Sequence, residues 1–190
     1  MQRREMMKRI AASGFILACL IATPALAALK AGDAAPDFTA QAAVGGKDFS
    51  FSLATALKKG PVVLYFFPKA YTKGCTIEAH EFAEAAASFE AAGASLIGMS
   101  RDNIETQRKF STEECRDKFP VAADPDMTVI RAYDAVRTTP LPSGDIVSDR
   151  ISYVIAPDGK VIYSYTDSAP DKHIENTLAA VKEWRQAHPQ

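Results

Sequence analysis

From Val62 to Phe67 the chain reads VVLYFF, six apolar residues, mostly β-branched or aromatic, with no polar residue among them. A strand with one wet face alternates apolar and polar residues, so a run without alternation predicts a strand buried on both faces of a sheet. The run ends at Pro68, and Thr72 and Cys75 follow at the spacing P-x-x-x-T-x-x-C. The alanine-rich segment after Cys75 reads as a helix, which places Cys75 in a first helical turn. There the unpaired backbone N–H groups and the positive end of the macrodipole favour a thiolate, the reactive form of cysteine. Thr72 brings a hydroxyl within a turn of the sulfur, and Pro68 fixes the strand exit while removing a competing N–H donor.

The elements around this stretch alternate. A hairpin is predicted from Phe38 to Ala42 and Phe49 to Phe51 about a Gly45-Gly46 turn. A short helix over Leu53 to Leu57 precedes the buried strand, and the helix from Cys75 to Ala91 is closed by Gly93. Leu96 to Met99 reads as a second apolar strand, Asn103 to Lys118 as an exposed helix with Ile104 and Phe110 as anchors, and Met127 to Tyr133 as a short helix. Thr138 to Asp149, with Pro140, Pro142 and Gly144, reads as a loop. Ile151 to Ile155 and Val161 to Tyr165 form a hairpin through Pro157-Asp158-Gly159, and Lys172 to Ala187 a final helix. The pattern predicts an α/β architecture, a mixed central sheet flanked by helices with an N-terminal β-hairpin.

The first 27 residues have a different character. Arg3, Arg4, Lys8 and Arg9 make a basic start, Ile10 to Thr23 an apolar centre and Ala25-Leu26-Ala27 a small-x-small cleavage site, the three parts of a secretory signal. A membrane helix is the competing reading, but the run is short for spanning and Pro24 interrupts it. Arg3-Arg4-Glu5-Met6-Met7-Lys8 also loosely matches a twin-arginine export signal. Ile16-Leu17-Ala18-Cys19 imitates a lipoprotein site, against which the apolar Leu20 to Leu29 argues. The expectation is a cleaved signal over 1–27, a single domain over 28–190, and a periplasmic or secreted product with no membrane span after cleavage.

Cleavage removes four basic residues and one acidic one, leaving 18 Lys and Arg against 22 Asp and Glu, a balance of −4. Nothing basic remains to attract nucleic acid or anionic lipid. Cys19 goes too, so Cys75 and Cys115 are left in a compartment that permits disulfides. His80, His173 and His188 are scattered without metal-ligand spacing, and there is no G-x-G-x-x-G loop. No metal, flavin or nucleotide cofactor is expected.

The motif around Cys75 resembles the peroxidatic motif of the peroxiredoxins. Gly32-Asp33-Ala34-Ala35-Pro36-Asp37-Phe38 is similar to the segment that opens that family's fold, and Asp149-Arg150-Ile151-Ser152-Tyr153-Val154-Ile155 with Pro157-Asp158-Gly159 is similar to its arginine-bearing strand and turn. Cys75-Thr76-Ile77-Glu78 is similar to the C-T-x-E of the bacterioferritin-comigratory, or Q-type, subgroup. The resemblance implies a thioredoxin-like fold and a thiol peroxidase acting on hydrogen peroxide and organic hydroperoxides. Cys75 would attack the peroxide and become a sulfenic acid. Thr72 and first-turn N–H groups would hold the peroxide oxygens, with Arg150 stabilising thiolate and developing charge. A thiol reductant such as a periplasmic thioredoxin-like protein would regenerate a monomer or weak dimer.

The resolving cysteine departs from the subgroup's C-x-x-x-x-C, whose second position here is His80. An internal resolving role then falls to Cys115, on the following helix, where other members carry it. The opposing reading makes Cys115 a half-buried packing residue, since a helix sets it within about 20° of Ile104, and the enzyme a one-cysteine type. Duller roles stay open elsewhere: Thr72 as a helix cap, Arg150 paired with Asp149, Glu78 as a first-turn carboxylate favoured by the dipole, and Tyr71 and His80 as surface or packing residues. Two other function classes also remain, a periplasmic thiol–disulfide exchange protein, which normally uses C-x-x-C, and a non-catalytic interaction module on the same scaffold.

Overall fold

The structure is a computed structural model describing residues 28–189, so the expected signal segment lies outside the described residues. Seven strands and five helices follow one another: β1 (Thr39–Val44), β2 (Lys47–Ser52), α1 (Leu53–Leu57), β3 (Val62–Phe66), α2 (Lys73–Ala91), β4 (Ser95–Ser100), α3 (Ile104–Glu113), β5 (Val121–Ala123), α4 (Thr128–Ala132), β6 (Ile151–Ile155), β7 (Val161–Thr166) and α5 (Asp171–Ala187). The strands form one sheet in the order β2-β1-β5-β4-β3-β6-β7. β3, β4 and β5 run parallel, and the remaining pairs are antiparallel. This is the mixed sheet expected, with its N-terminal hairpin turning at Gly45 and Gly46, both at positive φ.

β3 explains why its sequence does not alternate. Val62, Leu64 and Phe66 point into a core on one side of the sheet with Leu53, Ile97, Met99, Tyr153 and Ile155. Val63, Tyr65 and Phe67 point into a second core on the other side with Phe82, Phe89, Phe110 and Phe119. Successive side chains on a strand take opposite faces, so both sets must be apolar when helices cover both. Each large side chain so buried stabilises the fold by about 1.5–3 kcal/mol. Tyr65 lies across Gly98 of β4, where a Cβ would come within 2.6 Å of its ring.

The structure differs from the sequence reading in three places. β5 was not expected; its Val121-Ala122-Ala123 is too short to show a period and becomes a strand because β1 and β4 flank it. α3 ends at Glu113 rather than Lys118, and Arg116 and Asp117 then take left-handed φ of 50° and 58°. Cys115 therefore sits in a turn after the helix. Nor is α3 merely exposed: Gln107, Phe110 and Ser111 are buried along it. No helix among the described residues is long and apolar enough to cross a membrane.

Candidate active site

Sheet register brings the site together. Phe66 at the end of β3 pairs with Ile151 at the start of β6, so Arg150, one residue earlier, falls beside the loop that leaves β3 through the buried Pro68. Asp102 fixes that loop, accepting from the Ala70 N–H at 2.8 Å and the Ser100 hydroxyl at 2.7 Å. Tyr71, at φ 62°, then turns the chain into α2. Its ring packs edge-on against Phe110 and its hydroxyl donates to Glu113 at 2.7 Å, in keeping with the packing role expected of it.

Cys75 is the third residue of α2 and only 2 % exposed. Thr72 occupies the N-cap position in an extended conformation, but its side chain does not cap the helix. The hydroxyl instead donates to the Lys69 carbonyl at 2.9 Å. With its proton committed there, the exposed Thr72 oxygen remains an acceptor, and no side chain competes for the first-turn N–H groups near the sulfur.

Arg150 is almost fully buried, and its guanidinium is divided among three partners. Nη2 donates to Cys75 Sγ at 3.6 Å, Nη1 pairs with Glu78, and Nε donates to the Ser168 carbonyl at 3.0 Å. Asp149 receives only the backbone N–H of Arg150, so the reading of Arg150 as a partner of Asp149 is not what the side chain does. Burial opposes the Arg150 charge, but Glu78 and Cys75 outweigh it and the guanidinium is held protonated. Glu78 corrects a second expectation: rather than a first-turn carboxylate favoured by the dipole, it is the sixth residue of α2 and wholly buried against Arg150. Burial lifts its carboxyl above the ordinary carboxylate range, with Arg150 pulling the other way. Standing three residues after Cys75 on one helix face, it aims the guanidinium at the sulfur. Gly74 makes room: a Cβ there would meet Arg150 Nη2 at 3.0 Å.

Cys115 lies in the same aromatic core as Cys75, fully buried, and both thiols are free. The polar side chains around it belong to its neighbours. Tyr71 bonds Glu113, His80 pairs with Glu114 at 2.7 Å and Arg116 with Glu84 at 3.1 Å, which fastens the turn to α2 and to the loop before it. Burial pushes the Cys115 thiol up, and Glu114 and Asp117 add to the effect. Asp102 and Ser168 were not singled out as parts of the site, and no local signal marks their contribution, because each acts through a partner distant in sequence; Glu78 is visible as the last residue of C-T-x-E, but its contact with Arg150 is not.

Residues 31–164 match the model of the AhpC/TSA family. The chain belongs to that family. It is 30% identical over 122 residues to Peroxiredoxin Bcp of Xanthomonas campestris pv. campestris, covering 64% of this chain and 76% of that one. It is 32% identical over 148 residues to the chloroplastic Peroxiredoxin Q of Oryza sativa subsp. japonica, covering 77% of this chain and 64% of that one. The crystal structure of Peroxidoxin BcpB from Mycobacterium tuberculosis superposes with a TM-score of 0.72 at 32% identity, covering 82% of this chain and 97% of that one. The fold is thioredoxin-like, and this peroxiredoxin is a thiol-dependent peroxidase of the Bcp and Q type.

Proposed function

We propose that this peroxiredoxin reduces hydrogen peroxide and organic hydroperoxides outside the cytoplasm, with Cys75 as the attacking thiolate. The observation that carries the reading is the Arg150 contact on the Cys75 sulfur at a helix start that no side chain caps. The thiolate attacks the terminal peroxide oxygen, the S–O bond forms as the O–O bond breaks, and the departing alkoxide or hydroxide takes a proton. Cys75 is left as a sulfenic acid. Thr72 accepts the peroxide proton in a hydrogen bond, first-turn N–H groups and Arg150 stabilise the developing charge, and Pro68 excludes a rival donor.

Cys115 then displaces hydroxide from the sulfenic sulfur to form a disulfide, which a thioredoxin-like protein of the same compartment reduces. The full burial of Cys115 favours a second reading, a one-cysteine enzyme reduced directly by an external thiol. Export rests on the basic, apolar and small-residue order of residues 1–27; N-terminal sequencing of the mature protein should begin at Ala28. A peroxide-consumption assay with dithiothreitol tests the chemistry: Cys75→Ser should abolish turnover. Insulin reduction without peroxide turnover by the wild type would instead make the protein a thiol–disulfide exchanger.

A further inference from the structure

His173, on α5, is fully buried and outside the set of groups that touch the sulfur, yet both of its ring nitrogens are engaged. Nε2 lies 3.0 Å from the carbonyl oxygen of Asp167. A carbonyl only accepts, so Nε2 carries the proton, and the neutral ring leaves Nδ1 to accept from the Ser152 hydroxyl 2.8 Å away. Ser152, the second residue of β6, stands two residues after Arg150, which immediately precedes the strand. Asp167 directly precedes Ser168, whose carbonyl receives Arg150 Nε at 3.0 Å. The connections close a ring that runs from Arg150 along β6 to Ser152, across to His173, up to Asp167 and back through Ser168.

We propose that His173 is a positioning residue for peroxide reduction, holding the 167–168 loop so that the Ser168 carbonyl keeps the guanidinium turned toward Cys75. Arg150 needs three anchors to fix a planar group in the core, and two of them, Glu78 and Cys75, both sit on α2. Among the described residues, the third is the Ser168 carbonyl, which holds Nε from the turn after β7. That carbonyl belongs to a short turn after β7, where Asp167 accepts the Ala169 N–H through its carboxylate at 2.9 Å and the Tyr165 hydroxyl at 3.2 Å. Those bonds shape the turn and hold the Asp167 carboxylate to Tyr165 of β7, whose neighbour Thr166 pairs with Ile151 of β6, but neither engages the Asp167 carbonyl that leads into Ser168. His173 does engage it, and joins it to Ser152 of β6, two residues after Arg150. Tyr165 meets the imidazole ring edge-on at 4.8 Å and restricts it further. Loss of the Nε2 donor would orphan the Asp167 carbonyl, release Ser168 and let Arg150 swing off the sulfur.

The inference rests on Cys75 being the attacking thiol, and the experiment separates the two. Stopped-flow peroxide reduction and its pH profile are measured for wild type, Cys75→Ser, His173→Leu, His173→Gln and Ser152→Ala. His173→Leu should slow the second-order reaction between about ten- and a hundredfold, the scale of a small misplacement of a charge-stabilising group, and move its pH profile upward. Gln restores a donor at the Nε2 position and should recover the rate to within a few-fold of wild type. Ser152→Ala frees one side of the ring and should give a smaller loss of the same sign, which keeps the test decisive if His173→Leu does not fold. A folded His173→Leu, or failing that Ser152→Ala, with reduced thermal stability but an unmoved rate and pH profile would make the histidine merely structural and overturn the proposal. Turnover surviving in Cys75→Ser would instead overturn the assignment of the thiol.

Discussion

Arg150 and Glu78 form a buried hydrogen-bonded pair between residues 72 positions apart, and the pair, not the arginine alone, decides where the guanidinium points. Cys75 receives the nitrogen that Glu78 leaves free. A lone arginine in that core would carry a large desolvation cost, which Glu78 reduces by accepting from Nη1.

Arg150→Met should slow peroxide reduction more than tenfold, because the guanidinium contributes over about 1.4 kcal/mol to a transition state in which negative charge spreads onto the leaving oxygen. Stopped-flow kinetics read the effect directly, and wild-type second-order kinetics would remove Arg150 from the mechanism.

Gly74→Ala pits two effects against each other. Alanine stabilises a helix by about 1 kcal/mol relative to glycine, but its Cβ would press on Arg150 Nη2 at 3.0 Å. Three partners hold the guanidinium, so it yields only by leaving one. The variant should be close to wild type in thermal stability and at least several-fold slower with peroxide; equal or faster kinetics would show that the guanidinium keeps its place beside the added methyl group.

Thr72→Val keeps the shape and deletes the hydroxyl. As the side chain does not cap α2, the loss of the Lys69 contact should cost about 1 kcal/mol of stability, and the peroxide step should slow by a factor larger than that loss explains. A variant that melts slightly earlier but reacts at the wild-type rate would limit Thr72 to loop shape.

Cys75 and Cys115 are both buried and free in one core, and as a disulfide requires Cα atoms within about 7 Å, we expect the Cys115 turn and the first turn of α2 to open as the two thiols join. His80→Ala removes one of the links holding the turn and should speed appearance of a Cys75–Cys115 peptide in quenched mass spectrometry after peroxide. Persistent sulfenic or sulfinic acid at Cys75, with Cys115 still alkylatable, would establish the one-cysteine reading. The opening cost also leaves Cys75 exposed to over-oxidation at high peroxide.

Burial lowers the His173 pKa below its usual value, with the proton on Nε2 held by Asp167 opposing and Arg150 adding to the shift. An unfolded histidine takes up a proton as pH falls through about 6.5, whereas the folded one resists, so folding stability is complete above that pH and declines below it. Thermal denaturation between pH 7 and 5 should show the decline in wild type and a shallower one in His173→Gln. Parallel curves would place the titration elsewhere.

The sequence alone determined the buried β3 strand, the placement of Cys75 in the first turn of α2 and the two hairpins. These follow from local rules: the strand period, the helix start and the turn residues act over a few positions and need no distant partner. It could not show β5, whose three residues become a strand only between β1 and β4, or that α3 stops before Cys115. Nor could it show that Cys115 and Glu78 are wholly buried, or that Gly74 gives way to an arginine 76 residues downstream. The ring from Arg150 through Ser168 and His173 to Ser152 was equally hidden. Burial and polar pairing are properties of which distant segments the sheet order brings together. The tertiary structure decided them by setting Arg150 beside the exit of β3, where a charge survives only with partners drawn from α2 and the turn after β7.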